Sequence, residues 1–188
     1  MLIFFFKQET AYDITTWLEF RRVLFWSDRK GSERIKVKKR FKYLYNDKYF
    51  IETGNSIEST YLLASDSTGA IFKISFGDKM DSVIFDDYKH PPYFEYGDID
   101  GDGQSDYLLL DQSELLVYNA DKNLIINRSF DNNIIYSPAI YSLTGNIAKV
   151  GIVADRSDEL LLFNKDGSLS LGFPLYGNSP FSLIDEGG

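Results

Sequence analysis

Cysteine is absent from this chain of 188 residues, and histidine occurs only once, at position 90. Without cysteine no disulfide bond holds the fold, and the redox compartment stays undecided. The sequence holds no cluster of zinc ligands, and any Ser-His-Asp arrangement would have to use His90. Gly-x-Ser-x-Gly elbows and phosphate-binding Walker loops are also absent. The residues therefore offer little to an enzyme, and we expect a non-catalytic protein.

Positive charge is scarce beyond the first 42 residues. Residues 1–42 carry 11 basic and 5 acidic side chains, whereas residues 43–188 carry 9 basic and 23 acidic ones, a net charge of −14. This acidity disfavours nucleic acid and anionic membranes as partners. The basic run 34–42 could contact nucleic acid or an acidic surface, although such a run is more often a solvated strand face. Long apolar runs are lacking too, since Met1–Phe6 is far too short to span a bilayer, so we expect no membrane insertion.

One acidic stretch has the pattern of a binding site: Asp98-Ile-Asp-Gly-Asp-Gly-Gln-Ser-Asp106. Its carboxylates fall at loop positions 1, 3, 5 and 9, with Gly103 at position 6, where a sharp turn needs a positive φ. Clustered carboxylates repel one another unless a cation lies between them, and Ca²⁺ accepts about six to eight oxygen ligands in irregular geometry. The alternative is an acidic turn that binds no ion. The predicted calcium ligands are the side chains of Asp98, Asp100, Asp102 and Asp106 and the backbone carbonyl of Gln104.

An EF-hand begins in the same way but ends on a bidentate Glu at the twelfth position. Here that position is Leu109, inside the apolar run Tyr107–Leu110. Such a run is typical of a buried strand and not of a helix that leaves the loop. The sequence thus predicts a calcium loop that leads into a β-strand.

Internal repetition organises the chain. Asp66, Asp111 and Asp155 each end an apolar stretch, at separations of 45 and 44 residues. The segments Glu114–Leu124 and Glu159–Leu169 align residue by residue, without a gap, at an offset of 45, while the copy after Asp66 is looser. These matches predict equivalent strand pairs over residues 66–76, 111–124 and 155–169.

The acidic loop has counterparts in the other copies. At an offset of 44, Asp98–Asp102 aligns with Ser142–Asn146, which keeps the turn-forming Gly145 but loses the charges. We therefore expect this copy to keep the loop shape and to bind no ion. Thr53–Asn55 is a further remnant of the loop, without a defined register.

A period near 45 residues made of short strands is typical of a propeller blade of about four strands. Because no long segment after residue 43 has the apolar spacing of a helix, we predict an all-β fold, a partial β-propeller of about three blades. In the middle copy the strands are expected at 107–111, 115–119, 124–130 and roughly 134–141. The predicted units are 1–28 outside the pattern, 29–60 as incoming strands or a partial blade, 61–105 and 106–150 as blades, and 151–188 as a truncated blade.

The loop Asp98–Asp106 followed by Tyr107–Leu110 resembles the FG-GAP or VCBS-type β-propeller repeat, familiar from integrin α-chains and bacterial surface proteins. The last copy, with Glu159–Leu169 and Gly172–Gly177, resembles the final blades of large secreted propeller proteins of gut-type bacteria, and the resemblance covers roughly residues 30–186. It implies a calcium-stiffened interaction scaffold that is extracellular, periplasmic or at the cell surface. Its partners would be a protein or carbohydrate ligand and the remaining blades of the same chain. A propeller enzyme acting on polysaccharide, lyase or quinoprotein-like, is the alternative.

Residues 1–28 do not follow the repeat. The stretches Lys7–Ile14 and Leu18–Phe25 resemble translated short-read sequencing adapter, apart from Glu9, where lysine is usual. We expect this segment to contribute nothing to fold or function. The alternative is a genuine segment in which Trp17–Trp26 forms a short amphipathic helix. The other end, 180–188, stops as a further strand begins, so we expect both ends to be cut.

Overall fold

The computed structural model describes residues 24–27, 33–37, 44–56, 58–66, 68–75, 79–83, 88, 91–143, 145, 147–154 and 156–184. Within these residues the fold is all-β, with no helix, so none is long and apolar enough to cross a membrane. The helix considered for Trp17–Trp26 is wrong at its end, because Leu24–Ser27 is a strand. Residues 17–23, His90 and Asp155 lie outside the described residues.

The described residues form strands that pair with their neighbours in the chain. The strands are β1 (Leu24–Ser27), β2 (Glu33–Val37), β3 (Leu44–Glu52), β4 (Tyr61–Asp66), β5 (Ile71–Ser75), β6 (Lys79–Val83), β7 (Tyr93–Gly97), β8 (Asp106–Asp111), β9 (Glu114–Tyr118), β10 (Leu124–Ser129), β11 (Ala139–Leu143), β12 (Ile147–Ala154), β13 (Glu159–Phe163) and β14 (Leu175–Tyr176). β1 and β2 form an antiparallel pair. The others form three antiparallel sheets of four strands each: the first sheet (β3–β6), the middle sheet (β7–β10) and the last sheet (β11–β14). The prediction of an all-β chain built from groups of four strands is confirmed.

The chain divides into two compact units, residues 1–89 and 90–188. The first unit contains the β1–β2 pair and the first sheet, and the second contains the middle and last sheets. The β1–β2 pairing joins residues from both sides of the boundary expected between 28 and 29. In the first sheet, alternate residues of β4 and β5 face one small apolar core, formed by Leu62, Ala64, Phe72 and Ile74.

Apolar side chains between the middle and last sheets hold the second unit together. Leu108 and Leu110 of β8 and Val150 and Ile152 of β12 belong to one buried cluster. The residue between the two leucines, Leu109, points to the opposite face of the sheet and is buried as well. β8 is therefore covered on both faces, which explains why its sequence is a continuous apolar run and not an alternation.

The sheets start one strand earlier than the sequence units. β7, which precedes the acidic loop, pairs with β8 as the first strand of the middle sheet. The stretch 134–141, expected as the fourth strand of the middle copy, is strand only from Ala139 and pairs with β12 of the last sheet. That strand assignment is wrong. The repeat period does not say which strand is the first of a sheet, whereas the hydrogen bonds between strands decide to which sheet each strand belongs.

The repeat extends to the hydrogen bonds of two turns. The windows 66–76, 111–124 and 155–169 contain the third strands of the three sheets, β5, β9 and β13. After β9 the Lys122 N–H donates to the Asn119 carbonyl at 2.8 Å, and after β13 the Gly167 N–H donates to the Asn164 carbonyl at 2.8 Å. Lys122 and Gly167 both have positive φ, 67° and 74°. The match between the second and third copies is therefore one of backbone conformation as well as of residue type.

Two isoleucines on β12 test whether the face between the sheets is buried as described. Ile152 is 0% exposed and Ile147 is 52% exposed. Ile152→Ala should lower the free energy of unfolding by about 2–5 kcal/mol, because it leaves a cavity. Ile147→Ala should lower it by less than about 1 kcal/mol. Urea denaturation of both variants measures the difference, and equal losses would contradict this packing.

Candidate metal centre

The acidic loop, residues 98–105, connects β7 to β8, and its flanking residues Gly97 and Asp106 pair across the sheet. Gly101 and Gly103 have φ of 84° and 86°, a conformation in which residues with a Cβ are strained. The positive φ predicted at Gly103 is confirmed. The Asp98 carboxylate closes the turn by accepting the Gly101 N–H at 2.7 Å and the Gly103 N–H at 3.0 Å.

Asp106, which directly follows the loop as the first residue of β8, carries a buried carboxylate, with 0% of its surface exposed. Its Oδ2 accepts the N–H of Ile99 at 2.7 Å and the N–H of Asp100 at 3.1 Å. Its Oδ1 is buried and has no hydrogen-bond partner among the described residues. A buried acceptor left in this state costs about 1–3 kcal/mol, and more when it is charged. A cation at Oδ1 would remove that cost.

The pKa of Asp106 reflects this burial. Desolvation raises the pKa of Asp106 to about 6, the nearby charges of Asp100 and Asp102 act in the same direction, and the two backbone N–H groups partly oppose the rise. Since the carboxylate form is the one penalised, the loop without a cation holds an acid that ionises reluctantly.

Asp98, Asp100 and Asp106 converge. Each offers a carboxylate oxygen within 4.8 Å of the other two. Oxygens bound to one Ca²⁺ can lie up to about 5 Å apart, since each Ca–O distance is about 2.3–2.6 Å. The structure thus brings three of the four predicted carboxylates to within reach of a single ion.

Asp102 lies outside that converging group. Its Oδ1 accepts the Gln104 N–H at 2.7 Å, and its Oδ2 accepts the Gln104 side-chain amide at 3.3 Å. Both residues are exposed. Asp102 therefore stabilises the backbone of the loop at Gln104. Its carboxylate and the Gln104 carbonyl stay predicted ligands.

Ile99 anchors the acidic loop, and the sequence reasoning did not single it out. Its side chain is 0% exposed and belongs to the buried cluster between the middle and last sheets. Its N–H is one of the two backbone N–H groups that donate to Asp106 Oδ2. The available signal was an apolar residue between two aspartates, which is the alternation expected when one side of a loop faces the core.

The first sheet has a loop of the same length at the same place. Residues 53–60 connect β3 to β4, and the flanking residues pair across the sheet as those of the acidic loop do. Thr60, 4% exposed, accepts the Gly54 N–H at 3.2 Å and donates to the Ser56 carbonyl at 2.9 Å. One neutral hydroxyl is thus satisfied as donor and as acceptor, with no charge buried. The remnant predicted at 53–55 now has a register, an offset of 45 from the acidic loop.

The last sheet differs from the prediction. Ser142 and Leu143 belong to β11, which pairs with β12 as far as Leu143 and Ile147. Only three residues separate the paired Leu143 and Ile147, too few for the longer loop, and Gly145, the one of them that the structure describes, has φ of 80°. The prediction that this copy keeps the loop shape is wrong, because strand pairing satisfies the backbone here. That it binds no ion stays a prediction.

The pKa of Asp106 predicts an unusual pH dependence of stability without calcium. Because the pKa of Asp106 in the folded protein, about 6, lies above the ordinary aspartate pKa of 3.8, folding favours the protonated acid. Its contribution to stability is then fully favourable below about pH 4 and is lost as pH rises through about 6. Lowering the pH from about 7.5 to about 5 should raise the unfolding free energy of the wild type by about 1 kcal/mol more than that of Asp106→Asn. Urea denaturation in a chelator measures this, and parallel pH curves for the two proteins would contradict it.

Comparison with known proteins assigns no family to the chain. No family model matches the sequence, and no curated protein matches it. The resemblance to FG-GAP or VCBS-type repeats rests on the residues of the acidic loop and of the repeat, and it stays a prediction.

Proposed function

We propose that this chain binds Ca²⁺ in the loop 98–106 and forms part of a calcium-stiffened β-propeller, a secreted or cell-surface structural and interaction module without catalytic activity. The observation that carries the proposal is the Asp106 carboxylate, whose buried Oδ1 has no hydrogen-bond partner among the described residues and which converges with the carboxylates of Asp98 and Asp100. Exposed acidic groups are common without an ion. A fully buried carboxylate oxygen without a donor is uncommon, because it has lost its contact with water and gained no hydrogen bond in exchange.

The chemistry of the donors favours calcium over other cations. All the donors are oxygens, which suit hard cations, whereas zinc and copper sites use nitrogen and sulfur ligands. Mg²⁺ demands a near-octahedral shell at about 2.0–2.1 Å and gives up its waters reluctantly. An irregular loop with three converging carboxylates suits the larger and more tolerant Ca²⁺. Asp102, the Gln104 carbonyl and water are the proposed remaining ligands.

The proposed ion would act on the strand that follows the loop. Neutralising Asp106 removes the cost of a buried charge at the first residue of β8, and gathering Asp98 and Asp100 fixes the loop around Ile99. Because Ile99 packs in the core shared by the middle and last sheets, the ion would stiffen both sheets. This is a structural role for the metal and not a catalytic one.

The propeller proposal is supported by the organisation of the strands. Three successive antiparallel sheets have four strands each, in chain order, and the repeat near 45 residues falls in the range of propeller blades. Residues of the middle and last sheets share one buried apolar cluster. A secreted or surface location is proposed because a loop with so few buried carboxylates suits the weak calcium sites of extracellular modules, with Kd of about 0.1–1 mM.

Isothermal titration of the whole chain with CaCl₂ tests the calcium site. The wild type should bind one ion with Kd of about 0.1–1 mM, and saturating calcium should raise its melting temperature, since a ligand of the folded state stabilises it. Asp98→Asn should weaken binding at least about tenfold, because it removes one of the three converging carboxylates. Asp121→Asn is the matched control: it removes an exposed carboxylate from a turn of the same sheet and should bind calcium like the wild type.

The same titration can refute the proposal in two ways. No heat and no thermal shift at about 10 mM Ca²⁺, well above the weakest affinity expected for such modules, would exclude the site. Equal affinities of the wild type and Asp98→Asn would place any bound ion elsewhere.

A further inference from the structure

A turn of the last sheet contacts the acidic loop of the middle sheet. The turn 164–168 follows β13, and the Lys165 ammonium donates to the backbone carbonyl of Asp100 at 3.0 Å. Lys165 and Asp166 line an open depression of about 340 Å³ together with Asp100, Gly101 and Asp102. The proposed calcium loop is thus hydrogen-bonded to a turn of the last sheet, in addition to the apolar packing of Ile99.

The same turn has a second attachment to the middle sheet. Arg128 on β10 donates from Nε to the Gly167 carbonyl at 2.8 Å. The backbone of Gly167 comes so close to β10 that a Cβ there would lie 3.0 Å from Cγ2 of Ile126. The turn is therefore already positioned against β10, and Lys165 adds a link to the loop that does not depend on that contact.

Internal comparison shows that the turn itself does not need a lysine. In the middle sheet the equivalent turn, 119–123, makes the same pair of backbone hydrogen bonds, of 2.9 and 2.8 Å against 2.8 and 2.8 Å. It carries Ala120 where the last sheet has Lys165. Since the alanine supports the same conformation, the contribution of Lys165 lies in its contact with the acidic loop.

We propose that Lys165 couples calcium binding to the packing of the last sheet against the middle sheet. The inference rests on the proposed calcium site. Without an ion, repulsion among the carboxylates opposes the closed loop, in which Asp106 Oδ2 accepts the Asp100 N–H at 3.1 Å. With an ion, the Asp100 side chain is fixed and that repulsion is removed, so the hydrogen bond from Lys165 to the Asp100 carbonyl is strengthened. Lys165 is a positioning residue here: as a cation it cannot ligate the metal, and it acts through the backbone of a residue that does.

The coupling is reciprocal. If calcium holds the turn in place, the docked turn must favour calcium binding by the same factor. One exposed hydrogen bond to a charged donor is a modest interaction, so the effect is small and measurable. Its consequence is that an ion bound to one sheet would also order the adjacent one.

Hydrogen–deuterium exchange of the whole chain, with and without saturating CaCl₂, tests the coupling. The amides to follow are Gly167, which donates to the Asn164 carbonyl, and Ser168, which donates to Oδ1 of Asp166. In the wild type, calcium should slow their exchange about fivefold, the factor that one hydrogen bond supplies. In Lys165→Met, calcium should still slow exchange in the loop 98–105 but change exchange in the turn less than about twofold, because the linking hydrogen bond is lost.

Two further variants serve as controls. Lys165→Arg keeps a charged donor and should restore most of the effect in the turn. Arg156→Met removes one positive charge from the turn between β12 and β13, at the opposite end of the last sheet, and should behave like the wild type. The coupling would be overturned, and the calcium site left intact, if calcium slowed exchange in the turn of Lys165→Met as much as in the wild type. The same conclusion would follow if calcium did not slow exchange in the turn of the wild type. No slowing in the loop of the wild type would instead overturn the calcium site.

Discussion

The buried carboxylate of Asp106 links the acidic loop to the sheet and creates the need for a cation. One of its oxygens holds the backbone of Ile99 and Asp100, which shapes the start of the loop. The other is buried and has no hydrogen-bond partner in the part of the chain that the structure describes. The same residue is the first of β8 and pairs with Gly97, so the geometry of the loop and the position of the strand depend on one charged group. The two backbone N–H groups stabilise its charge only in part, and a cation at the second oxygen would complete its surroundings.

The connection between the first and second strands differs among the three sheets in how its backbone groups are hydrogen-bonded. In the first sheet the Thr60 hydroxyl serves as both donor and acceptor. In the middle sheet four aspartates accept the backbone N–H groups, at the cost of buried and clustered charge. In the last sheet the strands continue to pair and the turn shrinks. Only the second solution concentrates negative charge, and this difference explains why one copy of a repeat would bind an ion that the others do not need.

The sequence predicts the acidic loop well because its requirements are local. Alternate aspartates and a glycine with positive φ are properties of a few adjacent residues, and the structure places Asp98, Asp100 and Asp106 together with Gly103 in the expected conformation. Strand positions in the second and third copies were also predictable, since Leu and Val runs between turn residues are typical of strands. The all-β class follows from the same local patterns.

What the sequence did not predict depends on contacts between distant residues. The role of Ile99 follows from a core that the middle and last sheets build together. The assignment of β11 to the last sheet depends on which strand it pairs with, and the short connection between β11 and β12 depends on pairing that continues to Ile147. Lys165 is an ordinary surface lysine in the sequence, and it becomes informative only when its contact with Asp100 is known. Each of these is a property of the packed sheets and not of a residue pattern.

The central claim is that the free oxygen of Asp106 is a calcium ligand. A crystal structure of the whole chain grown with CaCl₂, with anomalous diffraction measured at long wavelength, tests it most directly. The account predicts one anomalous peak in the loop, with oxygens of Asp98, Asp100 and Asp106 at about 2.3–2.6 Å, Asp106 Oδ1 among them. A loop without a peak, in which Asp106 Oδ1 accepts a hydrogen bond from the protein or from buried water, would contradict it.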